Sequence, residues 1–116
     1  MSFKPRWTHE ADSRFRELQA AAAESLLNRQ KNRKVKATKA EGLFKQVEKA
    51  VRLLLENPRH PGLHTHEYHS ITHPYDQHSK VFEAYAQNRT AGAHRIFWCY
   101  GPDQNEITLI AIIRHP

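Results

Sequence analysis

The stretch "AHRIFWCYGPDQNEITLIAIIRHP", Ala93 to Pro116, decides the fold. Ile96, Trp98 and Tyr100 alternate with Arg95, Phe97 and Cys99, and Ile107 to Ile113 is apolar at nearly every position. A strand apolar on both alternating faces is one buried on both. Gly101-Pro102-Asp103-Gln104-Asn105, between the two runs, is turn chemistry. Ala93 to Arg114 therefore reads as an antiparallel hairpin of two buried strands.

Upstream, Val81 to Gln87 and Leu63 to Tyr68 are also rich in aromatic and β-branched residues. Asn88-Arg89-Thr90-Ala91-Gly92 and His73-Pro74-Tyr75-Asp76 separate these strands from their neighbours. Before Pro61-Gly62 the apolar period changes. Leu43, Phe44, Val47, Val51, Leu54 and Leu55 recur at helical spacing after the capping-box signature Thr38-Lys39-Ala40-Glu41, and Asn57-Pro58 stops that helix. An earlier helix begins near His9 with Thr8 as its cap and Phe15, Leu18, Ala22 and Leu26 on one face. Phe3 to Trp7 is a short strand, and Pro5 assigns it to a sheet edge, where one N–H is dispensable. The predicted fold is α+β, one domain over residues 1–116. An N-terminal helical hairpin packs on one face of a mainly antiparallel, four- to five-stranded sheet.

Two helices cover only one face of such a sheet. The other face is covered by a partner, by a second copy of the chain, or by the chain's own Ser70 to Lys80, or it stays open as a groove. Phe97, Cys99 and alternate residues of Ile107 to Ile113 form that apolar face. Lys80, Arg89, Arg95 and Arg114 make part of its rim basic, which suits an amphipathic, partly acidic peptide.

The net charge of +6 is uneven. Met1 to Arg59 holds 14 Lys/Arg against 7 Asp/Glu, and His60 to Pro116 holds 4 against 5. A basic first half fits a nucleic-acid partner, or else solvated helix faces rich in lysine. Cys99 is the single cysteine, which excludes an internal disulfide and a multi-cysteine zinc site. With neither a secretory signal nor a membrane-spanning run legible, a cytoplasmic protein without a membrane partner is expected.

Arg59 to His78 holds six of the nine histidines. On a strand from Leu63 to Tyr68, His64 and His66 share a face. A closed zinc site needs three or four convergent ligands, and no such spacing is present, so neither metal nor cofactor is expected. RNA contact, with imidazoles such as His66 stacking on bases or meeting phosphates, is one remaining reading. The other is a half-exposed strand and loop that happen to be rich in histidine.

The order of these pieces resembles the RelE/ParE superfamily, the toxins of type II toxin–antitoxin pairs. Arg6-Trp7-Thr8-His9-Glu10-Ala11-Asp12 is similar to that family's first strand and helix start. Leu54-Leu55-Glu56-Asn57-Pro58 with Gly62-Leu63 is similar to the end of its second helix. Ala93 to Tyr100, an acidic turn, and Ile107 to His115 are similar to its last hairpin. The resemblance implies a cytoplasmic toxin acting on mRNA, in some members at the ribosome, and a cognate antitoxin whose peptide lies in the apolar groove of the sheet. In the family's ribonucleases the RNA's own 2′-hydroxyl attacks the neighbouring phosphate, without a metal. Arg95 matches the family's phosphate-binding arginine, a permanently charged fork for two phosphate oxygens. His115 matches a terminal-strand histidine used as acid. Glu83 is the candidate base, although the family's glutamate lies earlier, near where this chain has Pro61. Lys80, Arg89, Arg114 and His66 are the candidate RNA contacts. The strand before the arginine is poor in Lys and Arg here, which fits the second class that the resemblance allows. That class is a non-catalytic binding member, acting on a protein as ParE-like members act on DNA gyrase.

Overall fold

Thr8 turns the chain from strand to helix. In the computed structural model, which describes residues 2–32, 36, 38–88 and 92–114, its hydroxyl accepts from Ala11 N at 3.1 Å and donates to Ile110 O at 2.6 Å. One side chain thus caps α1 (His9–Lys31) and pins its start to the sheet. β1 (Lys4–Trp7) precedes α1, and α2 (Lys39–Glu56) follows it. Thr38 and Glu41 form the reciprocal capping box that the sequence announces. A 3₁₀ turn (Pro61–Leu63) then leads into β2 (His66–Tyr68), β3 (Val81–Tyr85), β4 (His94–Tyr100) and β5 (Glu106–Arg114).

The strand order is β1-β5-β4-β3-β2. The sheet is mixed rather than mainly antiparallel, because β1 runs parallel to β5 while the other three pairings are antiparallel. No turn joins β1 to β5, so hairpin geometry does not set their relative direction; the chain must instead leave β1 where α1 can start. Lys4 N donates to Asn105 O and Thr8 N to Leu109 O, and Pro5 between them occupies a position facing away from β5. The edge assignment of β1 holds.

Ala11 and Leu18 of α1 and Val47, Ala50, Val51 and Leu54 of α2 close over Ala84, Ile96, Trp98, Ile107, Leu109 and Ile112. The β5 members of that cluster change from odd to even numbers. The register explains this: Phe97 faces Ala111 while Trp98 faces Leu109, leaving Ile110 as an extra residue. A bulge of this kind reverses the alternation beyond it. Ile110 and Ala111 accordingly join Val81, Phe97 and Cys99 on the face away from the helices.

The expected open groove on that face is not there. Tyr68 and Ile71 pack on the cluster, with the Tyr68 and Phe97 rings 4.6 Å apart. The chain's own segment 69–80 continues over it, held by His73. His73 Nε2 donates to Tyr100 O at 3.2 Å, and Nδ1 accepts from the amides of Tyr75 and Asp76, both at 3.1 Å. Tyr75 OH and Thr108 Oγ1 are hydrogen bonded at 3.0 Å. Phe97 and Cys99 keep only 5% and 0% of their exposure. The physical reason is a large apolar patch with a neighbouring loop long enough to cover it.

Two strand boundaries also differ from expectation. β2 begins at His66, not Leu63, because His60 Nδ1 accepts from Gly62 N and starts the 3₁₀ turn, which ends at His64 in the left-handed region (φ 48°). β3 ends at Tyr85, not Gln87, although Ala86 N and Gln87 N both donate to His94 O. No helix among the described residues is long and apolar enough to cross a membrane.

Candidate functional site

His66, Glu83 and Arg95 converge on the face away from the helices. Strand pairing brings them there: His66 lies opposite Glu83 on β2 and β3, and Tyr85 opposite Arg95 on β3 and β4. Glu83 and Arg95 are thus diagonal neighbours on one side of the sheet.

Glu83 is buried at 3% exposure, and its Oε1 accepts from His66 Nε2 at 2.8 Å. The other imidazole nitrogen, Nδ1, lies 3.1 Å from His64 O. Each ring nitrogen therefore has an acceptor at hand. His66 itself is half exposed, so this dyad joins an inner carboxylate to an outer imidazole that solvent or a ligand can reach.

Arg95 is buried at 7% exposure. Its NH1 donates to Gln87 O at 2.5 Å and approaches His94 O at 3.4 Å. Tyr85 covers it, with the guanidinium carbon 3.6 Å from the ring centre. A ring stacks on the face of a guanidinium, whereas hydrogen bonds leave from its edge, so Tyr85 orients Arg95 without consuming a donor. The ring of His64 sits 5.2 Å from Tyr85 and that of His66 sits 5.9 Å away, forming an aromatic rim.

Among the described residues, three buried side-chain polar atoms lack a hydrogen-bond partner, and two of them are Glu83 Oε2 and Arg95 Nε. A buried acceptor and a buried donor left unpaired on one patch are the kind of exception that functional sites keep. Arg95 pairs with neither Glu83 nor Glu106: Glu83 takes His66, and Glu106 takes Arg6 at 2.6 Å.

The remaining candidates lie elsewhere. Lys80 reaches Glu67 Oε1 at 3.5 Å on the outermost strand. Arg114 stands on the helix side of β5, beside Gly92 and His94, not on the rim of the site. Arg89 and His115 fall outside the described residues. Tyr85 was missed by sequence reasoning, although its place in a strand beside the arginine strand was a legible signal. The role of His73 carried no signal, because its partners are backbone atoms up to 27 residues away.

Among the described residues, no group of three or more His, Cys, Asp or Glu side chains gathers as a metal cage. Cys99 is buried beside Thr108, and burial pushes its thiol up to about 11, so it is no nucleophile at neutral pH. Comparison with known proteins finds no matching family model, no matching curated protein and no matching solved structure.

Proposed function

We propose that this chain is a RelE/ParE-like toxin that cuts RNA by internal 2′-hydroxyl attack, with Arg95, Glu83 and His66 as the reacting groups. The observation that carries the reading is the pair of unpaired buried atoms, Glu83 Oε2 and Arg95 Nε, beside the exposed ring of His66. In the proposed reaction His66 keeps its Nε2–H on Glu83, gives up the Nδ1 contact with His64 O, and takes the 2′ proton on Nδ1. The 2′ oxygen attacks phosphorus, Arg95 donates to the pentacoordinate phosphate, and the bond to the 5′ oxygen breaks. The products are a 2′,3′-cyclic phosphate and a 5′-hydroxyl, whose proton comes from His115 or from solvent. The resemblance of the hairpin Ala93 to His115 to the family supports the same assignment and adds a cognate antitoxin. With segment 69–80 in place, an antitoxin peptide that used the apolar face has to displace Ile71 and Tyr68.

The test is induction in cells with mapping of transcript ends, together with purified protein acting on single-stranded RNA. New ends carrying cyclic phosphate, lost in Arg95→Gln and His66→Gln proteins that still fold, are the expected result. Removing a transition-state cation of this kind lowers the rate by roughly 10²–10³. Full cutting by folded Arg95→Gln protein sinks the site assignment.

The burial of Arg95 at 7% exposure favours a second reading, a non-catalytic member that binds a protein target as gyrase inhibitors of the fold do. Growth arrest with intact RNA supports it, and no growth effect removes both readings.

A further inference from the structure

A second charged feature lies on the helix side of the sheet, away from the dyad. A groove of about 600 Å³ runs between the N-terminal halves of the two helices and the ends of β4 and β5, lined by Arg14, Lys39, Gln46, Gln87, His94 and Arg114 among others. Among the described residues three cations from three elements line it, and no Asp or Glu does.

Two of the cations, Arg14 and Arg114, lie beside one ring, that of His94. His94 is buried at 5% exposure; its Nδ1 lies 3.3 Å from Gln87 Oε1, and its Nε2 lies 3.4 Å from Arg14 NH2. Gln87 Oε1 can only accept, so Nδ1 carries the hydrogen and Nε2 receives Arg14. Burial, then Arg14, then Arg114 push the imidazole below its ordinary value. His94 thus stays neutral and positions Arg14. Glu17 takes the other arm of Arg14 at 3.1 Å in solvent. Among the described residues Arg114 has no carboxylate partner.

Two glycines line the groove. Gly92 sits at φ +68°, which strains any other residue, and a Cβ there would come within 2.4 Å of Arg114 NH2 and push the tip of that side chain aside. Gly42 lies within α2, where alanine is the better helix former. No heavy atom lies within 4 Å of its missing Cβ, so packing does not account for it.

Like charges gathered around a concavity repel one another, and a polyanion is their complement. We propose that this groove binds successive phosphate groups of an RNA strand, Arg14 and Arg114 each taking one and Lys39 adding a third charge. The choice of RNA among phosphate polymers rests on the RNA-cutting reading above; the charge argument stands without it.

The experiment uses the full chain and a short fluorescent RNA with 2′-O-methyl sugars, which lacks the nucleophile and is not cut. Binding is followed by anisotropy from about 50 to 200 mM salt, the range over which phosphate contacts dominate the slope. Arg14→Gln with Arg114→Gln should weaken binding at least tenfold at the low-salt end. It should also flatten the plot of log affinity against log salt by roughly 1.4, since each single-strand contact contributes roughly 0.7. Lys39→Gln, at an exposed position, should flatten it by about half as much. That single variant decides the matter if the double variant does not fold. Lys31→Gln with Arg52→Gln, which removes equal charge elsewhere, should leave binding within twofold.

Wild-type binding by the groove variants, or equal loss in the control, overturns the groove. Arg95→Gln, which removes one phosphate contact of the reading above, should flatten the salt plot by no more than about 0.7 while cutting of an all-ribose strand falls by roughly 10²–10³. If the groove variants lose binding and wild-type protein cuts nothing, the groove stands and the nuclease reading falls. If only Arg95→Gln loses binding, the groove falls and the reading survives.

Discussion

Arg95 lies beneath Tyr85, its guanidinium carbon 3.6 Å from the centre of the ring. The two are opposite each other on β3 and β4, so the stack is a cross-strand pair as well as a cation–π contact. Tyr85→Phe keeps the ring face and should unfold in urea within about 0.5 kcal/mol of wild type. Tyr85→Leu should lose about 1–2 kcal/mol, the scale of a partly desolvated cation–π pair. Equal stabilities for the two variants show that the stack contributes nothing.

His73 fastens the loop that closes the apolar face. His73→Ala removes the acceptor for two backbone amides and the donor to Tyr100 O, leaving groups that cost about 1–3 kcal/mol when unmatched. The loss should appear first as faster amide exchange in residues 70–80, with exchange in β4 and β5 little changed. Uniform acceleration through the sheet shows instead that the loop is part of the global folding unit.

Cys99 reports on the same closure from inside. It has no exposed surface, and burial holds its thiol at about 11. In native wild-type protein it should resist thiol reagents at mildly alkaline pH and react only on unfolding. In His73→Ala protein it should label at a rate set by loop opening. Rapid labelling of the wild type contradicts a closed face.

Glu41 ties the two helices together, and its acid titration is measurable. The Arg29 hydrogen bond, then those from Ser25 and the Thr38 amide, lower its carboxyl from 4.5 to about 2. A carboxyl with a depressed folded value stabilises above its unfolded value and loses that contribution as pH falls through the folded one. The urea midpoint of wild type should therefore exceed that of Glu41→Gln by a constant margin near neutral pH. The margin should shrink as pH falls from 4.5 towards about 2. A margin that does not change over this window shows that the ion pair is not formed in solution.

What the residues alone determined is local. Helix starts at Thr8 and Thr38, the edge strand around Pro5 and the β4–β5 hairpin all follow from short-range chemistry: caps, turns and alternation act within a few residues. Arg95, Glu83 and His66 were each identifiable as candidates by type. Their union was not, because a His–Glu pair across two strands depends on a register that no local pattern sets. The tertiary structure also decided the parallel direction of β1, since a contact between residues about a hundred positions apart has no turn to specify it. The bulge at Ile110 belongs to the same class. Leu109 to Ile113 is apolar throughout, so alternation there carries no information, and only packing under the helices selects which residues face them. Coverage of the far face was equally undecided along the chain. Loop, partner and second copy all bury the same apolar area, and the difference lies in His73 finding Tyr100 O across the sheet.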